Sequence, residues 1–292
     1  MRDFCAKLGI MTMDTAVAIP AVNRSGPPTP LSQHETIEDL LKGFRRQFVP
    51  IRKSFVQQGK GKETKPGPLR HFVAGHDRRG LDAYLLLHAM ASASPWNCDL
   101  PSGFWVRALG LVGVATNGVD AFDNARPAVS KAMRRLVDRR LVTRMRVKGQ
   151  SSLTLLCEDG SGSPYTHPFD TGEQWLQLPH EYWYRRYYLS LSLRAKIMLL
   201  IALERPDNFT LPQNKALPWY GVSEDTAYRG FRELREAGLL HVRQDWVKNL
   251  RSDIGYTQQW IYSLKGAFSD SERKKASAQA KRDFVDGNRE GE

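Results

Sequence analysis

The sequence predicts a mainly helical α+β fold in which each half of the chain ends in a small pair of β-strands. Two observations predict it: apolar residues recur at helical spacing along the chain, and strand-like segments at 141–158 and 239–264 follow the last helical segment of each half. A third is an internal repeat, in which MRRLVDRRLV at 133–142 aligns with FRELREAGLL at 231–240. A repeated order of helices and strands indicates two units of one kind.

Residues 1–65 are predicted to be a flexible lead-in that carries one helix and a basic linker. Residues 1–32 end in the Pro/Gly/Ser-rich stretch NRSGPPTPLS. An amphipathic helix follows, with apolar residues at Ile37, Leu40, Leu41, Phe44 and Phe48. We expect this helix to pack on the following domain, with a dimerisation or DNA-contacting arm as the alternative. The segment QQGKGKETKPGP is interpreted as a linker because it has no periodicity and several helix breakers.

The first unit, residues 66–160, is predicted to contain three helices and a strand pair. LDAYLLLHAMASA and LPSGFWVRALGL are the first two helices, and 113–124 is a loop. The third helix spans 125–138, with Asn124 or Asp123 as its N-cap and Pro127 in its first turn. The two strands flank a turn at Lys148-Gly149-Gln150.

The second unit, residues 161–268, repeats that order. SLRAKIMLLIALE is a buried helix, LPQNKALPWYG a connector or short helix, and 223–237 the third helix before the second strand pair. Ser223 caps the third helix, and Gly238 ends it in the left-handed conformation. Ala227, Phe231 and Leu234 form its core face. The charged tail, 269–292, is predicted to be a frayed helix or disordered.

Three helices followed by a two-stranded hairpin is the plan of a winged helix. We therefore expect two tandem winged helix-turn-helix domains, mainly α with small β wings. In this motif the third helix lies in the major groove of DNA and exposes its polar face to the bases.

The segment VSEDTAYRGFRELREAGLL at 222–240 resembles the recognition helix of GntR-like and MarR-like winged-helix regulators. Their pattern is V-S-x-x-T-V-x-R-A-L-x-x-L-x-x-x-G-L-[LI]. The matching residues are Val222, Ser223, Thr226, Arg229, Leu234, Gly238, Leu239 and Leu240. Gly230 and Phe231 depart from it, and a glycine inside a helix costs about 1 kcal/mol. The tandem arrangement also looks like that of plasmid replication initiators.

The charge balance favours a polyanionic partner. Lys and Arg number 43 against 31 Asp and Glu, a formal net charge of +12. The longest apolar run, IMLLIAL, is too short to cross a bilayer, and the N-terminus has no signal-peptide pattern. Three widely spaced cysteines, Cys5, Cys98 and Cys157, predict neither a disulfide framework nor a zinc site. We expect a cytoplasmic protein associated with the nucleoid or a plasmid, without a membrane partner.

No pattern in the sequence indicates catalysis. The seven histidines are scattered without metal-ligand spacing, and neither a P-loop nor a GxSxG motif occurs. We expect neither an enzyme nor a cofactor.

The predicted DNA contacts fall on the two third helices and the two hairpins. On the second helix they are Ser223, Thr226, Tyr228, Arg229 and Arg232. On the first they are Arg126, Ser130, Lys131 and Arg134. The hairpin contacts, to phosphate or the minor groove, are Arg144, Arg146, Lys148, Arg243, Lys248 and Arg251. Trp246 and Trp260 are interpreted as cross-strand packing residues of the second hairpin, with base-stacking as the alternative.

The expected function is sequence-specific binding of double-stranded DNA, in transcription regulation or in plasmid or phage replication initiation. The chain acts alone or as a homodimer, with both units on DNA or one of them used for dimerisation. The alternative is a winged-helix protein-interaction scaffold in a chromosome-organisation or partition complex, similar to the kleisin-associated subunits of condensation complexes. The charge of +12 argues against a scaffold.

Overall fold

The first helix begins at a capping box. The computed structural model describes residues 30–44, 47–91, 93–112, 119–147 and 150–289. In α1 (Gln33–Lys42), Ser32 accepts a hydrogen bond from the Glu35 backbone N–H, and the Glu35 carboxylate accepts one from the Ser32 N–H. Ile37 and Leu41 are buried in the common core, which confirms that this helix packs on the rest of the chain.

The segment predicted to be a linker forms a small hairpin. The strands that follow α1 are β1 (Phe48–Arg52), β2 (Gln57–Gln58) and β3 (Lys65–Pro66). β2 and β3 pair antiparallel, so the linker interpretation of this segment is wrong. Gly59 and Gly61 adopt φ of +74° and +58°, which turns the chain between the strands. Strands of two residues carry no periodic pattern, so sequence reasoning misses them.

The first group of helices is completed by a three-stranded sheet. Its elements are α2 (Arg70–Ala74), α3 (Arg78–Met90), β4 (Asn97–Cys98), α4 (Ser102–Ala108), α5 (Val119–Asp138), β5 (Val142–Val147) and β6 (Gln150–Leu155). The sheet is antiparallel in the order β4-β6-β5. The predicted helices and the predicted strand pair are confirmed here, whereas β4 was not predicted.

Helix α5 starts earlier than predicted. It begins at Val119, so 119–124 is helical, and neither Asn124 nor Asp123 is its N-cap. Pro127 lies inside the helix, where it removes one backbone hydrogen bond, and not in the first turn. Because proline is favoured in the first turn of a helix, the prediction placed the start of α5 close to Pro127, six residues too late.

A second sheet joins distant parts of the chain. The middle segment contains α6 (Pro168–Thr171), β7 (Trp175–Pro179), α7 (Glu181–Tyr184) and α8 (Tyr187–Ser190). β7 pairs antiparallel with β1, from Phe48 opposite Pro179 to Arg52 opposite Trp175. All five residues of β1 are buried, so the strand has no polar alternation to reveal it in the sequence.

The second group repeats the element order of the first from α3 onwards, with a β-bridge in place of β4. It comprises α9 (Leu193–Glu204), α10 (Gln213–Tyr220), α11 (Glu224–Glu236), β8 (Leu240–Lys248) and β9 (Tyr256–Leu264). An isolated antiparallel bridge joins Phe209, between α9 and α10, to Tyr262 of β9. The corresponding strand of the first group, β4, pairs in the same way with the second strand of its hairpin. Leu136 and Leu234, which align in the sequence repeat, are both fully buried.

The described chain ends in a long helix, and the whole is an α+β fold with small antiparallel sheets. Helix α12 (Asp270–Arg289) occupies most of the tail that was predicted to be frayed or disordered. Residues 31–292 cluster as one unit, and the division at 66–160 and 161–268 stays a prediction. Within the described residues, no helix has the length and apolar character needed to cross a membrane.

Helices α9 and α11 approach closely at Gly230. Gly230 is buried, and a β-carbon there would lie 2.5 Å from Cγ of Met198 and 2.9 Å from the carbonyl oxygen of Arg194. The close packing of α9 against α11 therefore explains why residue 230 is a glycine, which the sequence pattern does not reveal.

Replacing Gly230 with alanine is expected to lower the free energy of unfolding by about 1–3 kcal/mol, because overpacking outweighs the gain in helix propensity. Urea unfolding measures the change. Gly103→Ala in α4 is the matched control, since a β-carbon there meets no atom within 4 Å and should leave stability equal or higher. A Gly230→Ala protein as stable as the Gly103→Ala protein would contradict this account of the contact.

His88 of α3 is a buried neutral histidine. Its ring packs edge-on against Tyr84 at 4.6 Å between centroids. Burial, assisted by the charge of Arg52, lowers the pKa of His88 to about 3. The unfolded chain protonates its histidines near pH 6.5, so between about pH 6.5 and 3 the unfolded state binds the additional proton. This group therefore makes the fold less stable as the pH falls through that window.

His88→Phe is expected to reduce the pH dependence of stability between pH 6 and 4 by about 1.4 kcal/mol per pH unit. The comparison is between urea unfolding curves of the two proteins at several pH values. Parallel profiles for the wild type and His88→Phe would show that His88 titrates alike in the folded and unfolded chain.

Candidate nucleic-acid interface

Helix α11 is set in place by its cap and its apolar face. The Ser223 hydroxyl accepts a hydrogen bond from the Thr226 backbone N–H at 3.2 Å, and Gly238 adopts φ of +74° after the last turn. Ala227, Phe231 and Leu234 are buried, as predicted. The Ser223 hydroxyl also donates to the Thr226 hydroxyl at 2.9 Å, so the hydroxyl predicted to contact DNA is engaged in the cap.

The other predicted contacts of α11 divide over two sides of the helix. Tyr228 and Arg232, with Arg235, line a groove of about 210 Å³ between α11 and the β8–β9 hairpin. Thr226 lines a groove of about 430 Å³ on the side of α9. Helical spacing places Arg229, which is exposed, between these two sides. Arg229 thus occupies the outermost part of the helix.

Helix α5 presents a comparable exposed face. Arg126, Lys131 and Arg134 are exposed. Ser130 is half-buried, and its hydroxyl accepts a hydrogen bond at 3.0 Å from the Arg144 guanidinium of β5. Three of the four side chains predicted on this helix are therefore open to a ligand.

The inner arginines of α5 hold the helix against α3. The Arg135 guanidinium donates to both carboxylate oxygens of Asp77, at 2.8 and 2.6 Å, and Arg139 donates to the same carboxylate at 2.6 Å. Asp77 also caps α3 by accepting a hydrogen bond from the Gly80 N–H. Burial raises the pKa of Asp77, but the hydrogen bonds from the two arginines outweigh it and the net pKa is lowered. Asp77 therefore stays charged and positions α5.

The predicted hairpin contacts that the structure describes are exposed in both hairpins. In the first hairpin Arg144 and Arg146 are exposed, and Arg144 is held by Ser151 at 2.7 Å. Lys148 lies outside the described residues. In the second, Arg243 and Lys248 of β8 and Arg251 of the turn are exposed.

Several of the predicted arginines are paired with carboxylates on their own element. The pairs are Arg229–Asp225 at 2.7 Å, Arg126–Asp123 at 3.0 Å, Arg232–Glu236 at 3.5 Å and Arg243–Asp245 at 2.8 Å. Exposed pairs contribute about 0.2–1 kcal/mol, so a phosphate or a base can replace the carboxylate at small cost. In the part of the chain described, no ion pair involves Lys131 or Arg134.

The turn before α3 lies between the two helices. Lys131 of α5 lines a groove of about 760 Å³, and Thr226 of α11 lines the groove of about 430 Å³ described above. His76 and Arg78 line both grooves. The two helices with predicted DNA contacts therefore border two neighbouring grooves that share His76 and Arg78, together called the cationic depression.

Sequence reasoning missed the cations of this depression. Arg78 and Arg79 occupy the first turn of α3, and Arg194 lies in the first turn of α9; all three are exposed. Cations are disfavoured at helix N-termini by the helix dipole, whereas phosphate is favoured there. Basic residues one or two positions after the N-caps Asp77 and Ser192 are the sequence signal that could have identified them.

Trp246 and Trp260 lie on the same face of the β8–β9 hairpin but not opposite each other. Trp246 is opposite Gln258 and Trp260 is opposite Gln244, so the two rings are not directly opposed. They are 58% and 48% exposed. About half of each side chain is therefore accessible to a ligand.

Comparison with protein-family models, with curated proteins and with solved structures finds no match to this chain. The function has to be inferred from the chemistry and placement of the side chains. Among the described residues, no group of three or more His, Cys, Asp or Glu side chains could hold a metal ion.

Proposed function

We propose that this chain is a sequence-specific double-stranded DNA-binding protein built on two tandem winged helix-turn-helix units. Helices α5 and α11 would each enter a major groove, and the two hairpins would contact the backbone or the minor groove. The process served is transcription regulation or the initiation of plasmid or phage replication. The resemblance of 222–240 to GntR-like and MarR-like recognition helices points to the same activity.

The observation that carries the proposal is the shared position of the two exposed basic helices. Lys131 of α5 and Thr226 of α11 line neighbouring grooves, with His76 and Arg78 common to both. A duplex in contact with both helices would bring its phosphates next to Arg78, which is exposed.

The element order supports the same reading. In each half, two helices and an intervening strand or bridge precede the exposed basic helix, and a hairpin follows it. The hairpin's second strand pairs with that intervening segment in both halves. A helix held on one side by core packing and flanked by a hairpin suits base reading, because its outer face is free and its orientation is fixed.

The chemistry of the exposed side chains fits base and phosphate contacts. Arg229 can bond bidentately to guanine once it leaves Asp225, and Lys131 and Arg134 can neutralise phosphates. Because the Arg229–Asp225 pair is exposed, with side chains 51% and 61% accessible, this exchange costs little.

The test is selection of the purified full chain on a random double-stranded DNA library at near-physiological salt, read by sequencing. We expect enrichment of one motif, with two parts because two helices read it. Salt-sensitive binding without enrichment would contradict sequence reading and leave only a basic surface. Absence of binding would overturn the proposal and favour the protein-interaction scaffold.

A further inference from the structure

The β8–β9 hairpin has one face that begins in the core and continues into solvent. Side chains alternate along a strand, and the face that starts with the buried pair Leu240 and Leu264 carries three aromatic residues further out. These are Trp260, Trp246 and Tyr256, with exposed fractions of 48%, 58% and 50%. A row of exposed aromatic rings on a soluble surface marks an interaction site.

This row continues into the groove between the hairpin and α11. Trp260 and Tyr228 line that groove, and Tyr228 is 64% exposed. The floor is apolar: Phe231 and Tyr262 stack at 4.4 Å between ring centroids. The groove therefore offers two accessible aromatic rings above a fixed apolar floor.

The charges around the aromatic row suit an anion. Arg232 and Arg235 line the groove against one lining carboxylate, Glu224. Lys248 ends β8 beside Tyr256, and the turn beyond it carries Arg251; both cations are exposed. An apolar protein partner would not need cations at both ends of the aromatic row, whereas a phosphodiester chain would.

We propose that the aromatic row, Tyr228, Trp260, Trp246 and Tyr256, binds unpaired nucleotides of single-stranded nucleic acid. The bases stack on these rings, and the phosphates lie next to the arginines of the groove and the cations at the hairpin end. Exposed π-faces together with nearby cations are the combination that binds single-stranded nucleic acid.

The geometry of stacking indicates that the aromatic row binds unpaired rather than paired bases. In a duplex both faces of each base are covered by its neighbours, so an aromatic ring has no base face to stack on. Every unpaired base offers such a face, which makes the interaction tolerant of sequence. The aromatic row is thus of no use to a protein that only contacts duplex backbone.

Binding of single-stranded nucleic acid at this site would be a second activity, in addition to the proposed binding of double-stranded DNA. The single-strand site shares Tyr228 and Arg232 with the predicted duplex contacts of α11. The variants that test the two proposals are nevertheless separate, Lys131 and Arg229 for the duplex and Trp246 and Trp260 for the single strand, so the failure of one proposal can be told from the failure of the other. A chain with both activities could hold a duplex and an adjacent melted strand together.

The experiment compares the full chain with the variant Trp246→Ala/Trp260→Ala. Binding to labelled oligothymidylate of about 15 nucleotides, long enough for a single-strand site, is measured by fluorescence anisotropy beside binding to a labelled duplex. Val247→Ala is the matched control, since Val247 lies on the opposite face of the same hairpin. The variant Trp246→Phe/Trp260→Phe keeps an aromatic ring at both positions, so it distinguishes loss of stacking from loss of the fold.

We expect the double alanine variant to bind oligothymidylate about 10- to 100-fold more weakly, with duplex affinity changed less than about 2-fold. The phenylalanine variant should retain most single-strand affinity, and Val247→Ala all of it. Unchanged oligothymidylate affinity in the alanine variant would overturn the proposal. An equal loss of affinity for duplex and single strand would also overturn it. So would a change only in the sedimentation of the free protein, because that result would identify a second copy of the chain as the occupant of the aromatic row.

Discussion

Asp77→Ala is expected to lower the free energy of unfolding by about 3–5 kcal/mol. The carboxylate is 2% exposed, and its removal leaves the guanidinium groups of Arg135 and Arg139 without their partner next to the core. It also removes the N-cap of α3. Urea unfolding of both proteins gives the difference. Asp138→Ala, at an exposed carboxylate on α5, is the control and should change stability by less than about 0.5 kcal/mol.

The pH dependence of this difference follows from the direction of the pKa shift. The folded pKa of Asp77 is lowered, so its contribution is present above the unfolded value of about 3.9 and is lost as the pH falls through the folded value. The gap between wild type and Asp77→Ala should be constant near neutral pH and close below about pH 4. A gap that persists unchanged in acid would mean that the charge of Asp77 is not what holds α5.

Lys131→Glu/Arg229→Glu is expected to weaken binding to the selected duplex by at least about 100-fold. Each substitution removes one contact of about 1–3 kcal/mol and introduces a charge that repels phosphate. Fluorescence anisotropy at constant salt measures the loss. Both positions are exposed, so the unfolding midpoint should stay within the range of other surface substitutions.

The matched control for this variant is Lys274→Glu/Lys275→Glu on α12. It makes the same change in net charge at two exposed lysines that are 74% and 73% accessible. If the long-range charge of the protein were the whole cause, both double variants would bind equally weakly. That result would contradict assignment of the contacts to α5 and α11.

The sequence predicted the elements that have a local, periodic signal. Helix α11 was predicted to within a residue at each end because the cap at Ser223, the apolar spacing and Gly238 agree. The start of α5 was wrong because Pro127 lies inside the helix. The β1–β7 pair was missed because a strand buried on every residue has no alternation, and its partner lies more than a hundred residues away.

The candidate site was only partly predictable for a related reason. Exposure of Lys131 and Arg229 follows from helical spacing within one element. The cationic depression around Arg78 and Arg194 depends on how α3 and α9 meet the other helices, which local spacing does not determine. The division of the α11 residues over two sides likewise depends on the hairpin and α9, so Tyr228 and Arg232 lie on the hairpin side, away from Thr226.

The most direct test of the central claim is a hydroxyl-radical footprint of the chain on its selected duplex, repeated with Lys131→Glu and Arg229→Glu as single variants. If α5 and α11 read one duplex, the wild type protects two regions, and each variant loses protection in a different one. Loss of the same region in both variants, or of neither, would contradict the assignment of one helix to each part of the site.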